Sequence, residues 1–239
     1  MKNRAIYNKD SSYFKLPNPE NSYWAGFIAA DGCLYAKKNQ LLLYTAQKHR
    51  DHLRRFASAV QYDGPIVEMK KNKSAFQSYS SLAGLQICGV SEWLRDLELN
   101  FNVTPKKSHT LQPPTLADND CILAFVVGYL DGDGCINLFD KDRKQPYVSI
   151  TFTSGSEDIL AWIRDFFDEN YPTARTDKAG IYRLRSHNPL YPNTYTFRYR
   201  VNGVRAKLFL NQCIDADIMR LKSKWEKYEL WRAQQDWPS

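Results

Sequence analysis

The chain repeats itself, and nothing else in the sequence limits its fold as strongly. YWAGFIAADGC (Tyr23 to Cys33) and FVVGYLDGDGC (Phe125 to Cys135) superpose with Asp31 on Asp133, the self-similarity expected of a duplicated supersecondary unit. The match runs on past the motif. Thr45-Ala46-Gln47 followed by Asp51-His52-Leu53 corresponds to Phe152-Thr153-Ser154 followed by Asp158-Ile159-Leu160. Cys88-Gly89-Val90 corresponds to Asn202-Gly203-Val204, and Pro105-Lys106-Lys107-Ser108 to Arg220-Leu221-Lys222-Ser223. The offset widens along the chain, as loop insertions in the second copy would produce. A tandem pseudo-dimer is expected: residues 1–20 form an N-terminal arm, 21–108 the first half, 109–117 a linker with two prolines, and 118–239 the second half.

Periodicity and punctuation give each half the order αββαββα, an α+β fold class with antiparallel sheets. Asn21 or Ser22 is expected to cap a first helix reaching about Ala30, and Asp118 to Asp120 to cap its partner. In the first copy, hairpins at Leu34 to Lys48 (turning near Lys38-Asn39) and Pro65 to Ile87 (turning near Asn72-Lys73) flank a helix from Arg50 to Val60. In the second, hairpins at Ile136 to Thr153 and about Ala174 to Val201 flank a helix over Ser156 to Glu169. Third helices follow at Ser91 to Leu99 and Arg205 to Cys213.

Small residues recur one turn apart in the repeated helix, Gly26 with Ala30 and Gly128 with Gly132. Such pairs remove the side chains that hold helix axes about 8–10 Å apart. A close helix-to-sheet contact would use them too, but copies related by a pseudo-twofold axis present the same face to each other, which favours helix on helix. That packing carries Asp31 and Asp133 side by side at the helix C-termini. A carboxylate there opposes the helix dipole by about 0.3–1 kcal/mol, and paired carboxylates raise each other's pKa. Something cationic has to compensate. Hard oxygen ligands on an open site suit Mg²⁺, which fills its shell with water and phosphate oxygens. Gly32 and Gly134 fit a chain reversal just past each helix end. A calcium loop beginning at Asp131 fails on spacing: Cys135 falls on the third ligand, Ile136 where glycine is needed, and Asp142 where glutamate should close it.

WAGFIAADG (Trp24 to Gly32) and VVGYLDGDG (Val126 to Gly134) resemble the two signature copies of single-chain LAGLIDADG homing endonucleases. The resemblance implies a saddle of antiparallel strands over duplex DNA, with the motif helices as the central interface. It implies that Asp31 and Asp133 each bind a divalent metal near one scissile phosphate, with the backbone of Ala30 and Gly132 as further candidate ligands, and that Mn²⁺ or Ca²⁺ substitutes for Mg²⁺ in binding. Gln47 resembles the family glutamine that orients metal-bound water, for which the second copy has Thr153-Ser154. Lys107 and Lys222 resemble the basic residues near the active sites, and Lys106 and Lys224 are close enough in sequence to be the occupants instead. The motif's earlier acid is Asp131 in the second copy and Ala29 in the first, so that position is structural at most. The implied activity is double-strand DNA cleavage at a long non-palindromic target, one phosphodiester per strand, leaving short 3′ overhangs, by an intron-encoded monomer that acts as a pseudo-dimer. RNA maturase activity on intron RNA, or DNA binding without cleavage, is the alternative that the same family allows; retention of both acids favours the nuclease.

DNA reading would fall to strand faces. Alternation sets Arg183, Arg185 and His187 on one side of their strand, and sets Arg198 and Arg200 opposite Tyr195, Phe197, Tyr199 and Val201, so a single cationic face is expected on that hairpin. A ribbon of this width fits the major groove, where Arg pairs bidentately with guanine. Lys141, Arg143 and Gln145 are candidates on the other hairpin of the second half; Tyr35, Lys37, Lys70, Lys73, Gln77 and Tyr79 are candidates in the first. The net charge of +7 is consistent with a polyanionic partner. His49, His52, His109 and His187 show no repeat correspondence or triad spacing and read as surface or DNA-contacting residues. Five cysteines without CxxC spacing read as reduced thiols rather than a zinc site. With no signal peptide and no apolar run of spanning length, the chain is expected to be intracellular and to need no membrane.

Overall fold

The computed structural model of the chain describes residues 7–70, 81–139, 147–173, 180–185 and 194–235. Helix α1 (Pro19–Asp31) begins ahead of the caps expected at Asn21 or Ser22. Asn18 is the cap instead. Its side chain accepts from Asn21 N at 3.0 Å while Asn21 Oδ1 accepts from Asn18 N at 2.8 Å, a reciprocal capping box with Pro19 in the first-turn position that does not need an N–H. Helix α4 (Asn119–Asp133) is capped by Asp118, which accepts from Cys121 N at 2.9 Å. Both helices bury residues on every side, from Tyr23 to Ala29 and from Leu123 to Asp131, which places them inside the molecule rather than on its surface.

Each helix runs straight into a strand. β1 (Gly32–Tyr35) and β5 (Gly134–Phe139) start at the glycine that ends the helix. Gly32 (φ −83°, ψ 150°) and Gly134 (φ −107°, ψ 177°) are extended, so the expected chain reversal does not occur. Crowding explains these glycines: a Cβ on Gly32 would lie 2.7 Å from the Ile28 carbonyl oxygen, and one on Gly134 would lie 2.6 Å from that of Leu130.

The first sheet adds β2 (Gln40–Ala46), β3 (Val67–Lys70) and β4 (Ser81–Cys88), in the order β1-β2-β4-β3. The second adds β6 (Tyr147–Ser154), β7 (Tyr182–Arg185) and β8 (Tyr195–Asn202), in the identical order β5-β6-β8-β7. All pairings are antiparallel. Asn39 (φ 50°) makes the left-handed turn between β1 and β2. Helices α2 (Arg50–Ala59) and α5 (Glu157–Asn170) lie between the hairpins, and α3 (Ser91–Phe101) and α6 (Gly203–Asp215) follow them. The helices cover one face of each sheet. Leu34, Leu41, Leu43, Leu85 and Ile87 fill that side in the first half, and Val148, Ile150, Phe152, Tyr199 and Val201 in the second.

One element had no sequence expectation, α7 (Lys222–Gln235), which packs against β5 and has no counterpart described in the first half. Among the described residues no helix is long and apolar enough to cross a membrane, and all five cysteines are free thiols.

Candidate functional site

The site is built where α1 and α4 meet. A Cβ on Gly26 would collide with the carbonyl of Phe125, and one on Gly128 with the carbonyl of Tyr23, so each helix seats its glycine on the other's backbone. A turn further on, a Cβ at Gly132 would run into the Cβ of Ala30, 3.4 Å from Asp31 N. The helices therefore run in the same direction and end together, and Asp31 and Asp133 stand at their joint C-terminus. Both residues reach solvent at one side, while protein packed around their other sides still desolvates the carboxylates. Among the described residues neither carboxylate has a hydrogen bond or an ion pair.

Two ammonium groups approach from opposite halves. Lys107, buried in a single 3₁₀ turn, donates to the Gly32 carbonyl at 2.5 Å. Lys224, in the first turn of α7, donates to the carbonyls of Leu130 (3.0 Å), Gly132 (3.2 Å) and Gly134 (2.8 Å). Both cap carbonyls at the negative ends of the helix dipoles, where a cation is favoured. Burial lowers both lysines' pKa values against the pull of the nearby acids. Burial and the charge of Asp133 push Asp31 up to about 7 against the two lysines. Burial raises Asp133 as well, with Lys224 and Lys107 opposing.

Lys222, matched to Lys107 by the shared Lys-Ser dipeptide, is not the residue that reaches this site. It is exposed and lines a separate cleft with Lys48, His49, Arg55 and Arg220. Lys224, two residues on, takes the place, because α7 turns its first-turn side chains by helical rather than 3₁₀ geometry. Lys106 is exposed in a left-handed conformation (φ 64°) and sets the turn that buries Lys107.

Gln47 follows β2 in a 3₁₀ turn, and its Oε1 is enclosed without a hydrogen-bond partner. Of its counterparts, Ser154 is engaged through its side chain, Oγ accepting from Ser156 N at 3.0 Å, and Thr153 through its backbone carbonyl, which accepts from Tyr129 OH at 3.3 Å. Asp131 is buried under three donors, Tyr23 OH (2.7 Å), Leu221 N (2.6 Å) and Trp225 Nε1 (2.8 Å), and burial raises it to about 6.

His52 is neither on the surface nor free for DNA. It is buried against Trp24 and Phe27 with Nε2 2.9 Å from Tyr23 OH. Since that hydroxyl donates to Asp131, Nε2 carries the hydrogen; burial and Arg55 lower the ring's pKa to about 3 and keep it neutral. His49 Nδ1 lies 3.0 Å from Ser223 Oγ, and His109 is exposed.

The strand faces differ from expectation at one hairpin. Arg198 and Arg200 lie on the open face of the second sheet, opposite Thr153 and Thr151. Arg183 and Arg185 pair with Phe197 and Tyr195, on the helix-covered side of the same strands. Arg183 stacks 3.7 Å from the centre of the Tyr195 ring. The cationic face thus divides in two, because alternation within each strand leaves the register between strands free. In the first half Tyr35 and Lys37 are exposed beside the β1–β2 turn. Lys70 ends β3 opposite Ser81, its side chain outside the described set. Lys73, Gln77, Tyr79, Lys141, Arg143, Gln145 and His187 lie outside the described residues.

No protein-family model matches the sequence, and no curated protein matches it. Solved structures do. The I-LtrWI LAGLIDADG homing endonuclease bound to target DNA is 10% identical, with a TM-score of 0.53 over 95% of this chain and 90% of that one. The chain has the LAGLIDADG fold. I-SmaMI bound to an uncleaved DNA target in the presence of calcium ions is similar too, with 14% identity, a TM-score of 0.52 and 90% coverage of both chains. At such identities the likeness concerns the fold alone. The paired helices of that fold are α1 and α4, and the first strand of each sheet leaves from their joint C-terminus.

Proposed function

We propose that this LAGLIDADG chain is a site-specific double-strand DNA endonuclease that uses a divalent cation, cuts one phosphodiester in each strand of a long non-palindromic target and leaves short 3′ overhangs. The observation that carries this reading is the pair Asp31 and Asp133, two carboxylates brought together without partners, one raised to about 7. Structural acids are normally relieved by ion pairs or hydrogen bonds. Here the adjacent ammonium groups donate to carbonyls instead, which leaves the carboxylate oxygens free for another cation.

The donor set fits Mg²⁺. Among the described residues no third His, Cys, Asp or Glu joins the pair to make a closed cage, and an ion held by one or two carboxylates with water and phosphate oxygens is its usual environment. The Gly132 carbonyl, expected as a further ligand, already accepts from Lys224. When bound, the metal supplies Lewis-acid polarisation of the scissile phosphate and charge relief for the leaving oxygen. Lys107 and Lys224 hold fixed positive charge beside the anionic phosphate. Gln47, its Oε1 unpaired, is suited to accept a hydrogen bond from a water and orient it. Arg198 and Arg200 on the open face, with Tyr35 and Lys37 across the molecule, would meet the duplex.

The test is a cleavage selection on a randomised duplex library with Mg²⁺, run beside Asp31→Asn and Asp133→Asn. Cutting with wild type that is lost in both variants and in chelator is expected. Cutting that survives both substitutions, or needs no divalent metal, overturns the mechanism. Tight binding to structured intron RNA without DNA cutting would put the maturase reading in its place.

A further inference from the structure

The two halves deliver their lysines by different means. Lys107 is set locally, by the left-handed Lys106 and the turn that follows it. Lys224 sits on α7, and what fixes the start of α7 is Asp131. One carboxylate oxygen accepts from Leu221 N at 2.6 Å and the other from Trp225 Nε1 at 2.8 Å. These donors are one helical turn apart, and Lys224 lies between them in sequence. The first of those oxygens also takes the Tyr23 hydroxyl at 2.7 Å, itself held by His52 at 2.9 Å. Asp131 is 2% exposed. A carboxylate so deeply placed and so completely used ties three segments together: α1 of the first half, α4, and the N-terminus of α7. In the repeat its position in α1 is occupied by Ala29, which accepts nothing.

We infer that Asp131 is a positioning residue: it docks the N-terminus of α7 and thereby sets the Lys224 ammonium against the carbonyls of Leu130, Gly132 and Gly134, a task the first half performs without it. The three protons of that ammonium match three acceptors at 3.0, 3.2 and 2.8 Å. Its placement is therefore specific, and it depends on how α7 is seated rather than on the lysine's own length. The consequence for strand cutting rests on the endonuclease reading; the placement itself does not.

The test is acetylation footprinting of the full chain with an N-hydroxysuccinimide ester, read residue by residue by mass spectrometry. In wild type, Lys224 and Lys107 are expected to react slowly and the exposed Lys222 quickly. Asp131→Asn should raise Lys224 labelling about tenfold, the order expected when a hydrogen bond to a charged group is lost, while Lys107 stays protected. Trp225→Phe removes one donor and keeps an aromatic ring; a smaller rise at Lys224 is expected, and it is the variant to read should Asp131→Asn fail to fold. Lys224 remaining protected in the folded variant, or Lys107 opening to the same degree, overturns the inference, the latter because it would show general loosening. On a cleaved duplex, Asp131→Asn should slow one strand and accumulate nicked product; equal slowing of both strands counts against it. A wild-type chain that cuts no duplex would end the endonuclease reading and leave the labelling contrast intact.

Discussion

Asp31 illustrates how a single residue can be legible by type yet not by environment. Its pairing with Asp133 follows from the repeat, and the need for a compensating cation follows from two carboxylates at two helix C-termini. The structure adds that the neighbouring lysines leave the acids unpaired, so Asp31 is raised from 3.8 to about 7 by burial first and by Asp133 second. Between those values the folded chain binds more protons at this group than the unfolded chain does. Its contribution to stability is therefore largest at low pH and is lost as pH rises through 7. Without metal, Asp31→Asn should raise the Tm clearly more at pH 8 than at pH 5, and the difference should vanish only below about 3.8, as scanning calorimetry of both proteins would show. The same proton competes with a cation, so Mg²⁺ should stabilise wild type more at pH 8 than at pH 6. The sequence leaves the lysine of the second half open between Lys222 and Lys224 because the Lys-Ser dipeptide preserves chemical likeness, whereas reach into the site depends on whether the chain there is 3₁₀ or α-helical.

At the scale of elements, the central helices were readable because backbone-to-backbone packing demands small residues at fixed places. Gly26 faces the Phe125 carbonyl and Gly128 faces that of Tyr23. Gly26→Ala should cost about 3 kcal/mol, the upper part of the usual range for overpacking, measured by urea denaturation. Gly180→Ala is the control, since a Cβ there meets nothing within 4 Å. Helix α7 escaped notice for the opposite reason. KSKWEKYELWRAQQ spreads its aromatic residues among charges, and Trp225 and Tyr228 are buried by a partner surface that only the assembled fold creates. Strand pairing was likewise invisible. Each of β7 and β8 alternates clearly, but the pairing of Arg183 with Phe197 depends on residues between the strands rather than on either pattern.

Across the whole molecule, the two halves share topology but not surface. The open face of the second sheet carries Arg198 and Arg200. The corresponding face of the first carries Tyr35, Leu42, Tyr44 and Gln86 among its described residues. Reading of a duplex by two such faces would be unequal. Arg200→Ala should cost about 1–3 kcal/mol of affinity and relax base preference in one half-site only. Arg183→Ala, on the other side of the strand, should leave that preference in place. Binding measured against a panel of single-base target variants at fixed salt would separate the two.

The bond between Tyr23 and Asp131 has a consequence for how the two copies fit. In the repeat, Tyr23 corresponds to Phe125 and Asp131 to Ala29, so the hydroxyl and the carboxylate that meet across the seam come from opposite copies. Two first halves joined together would have the donor twice and the acceptor never; two second halves would bury two carboxylates facing phenylalanine. The two copies are complementary rather than interchangeable: each carries one part of a lock, and each fits its sibling better than it would fit a second copy of itself.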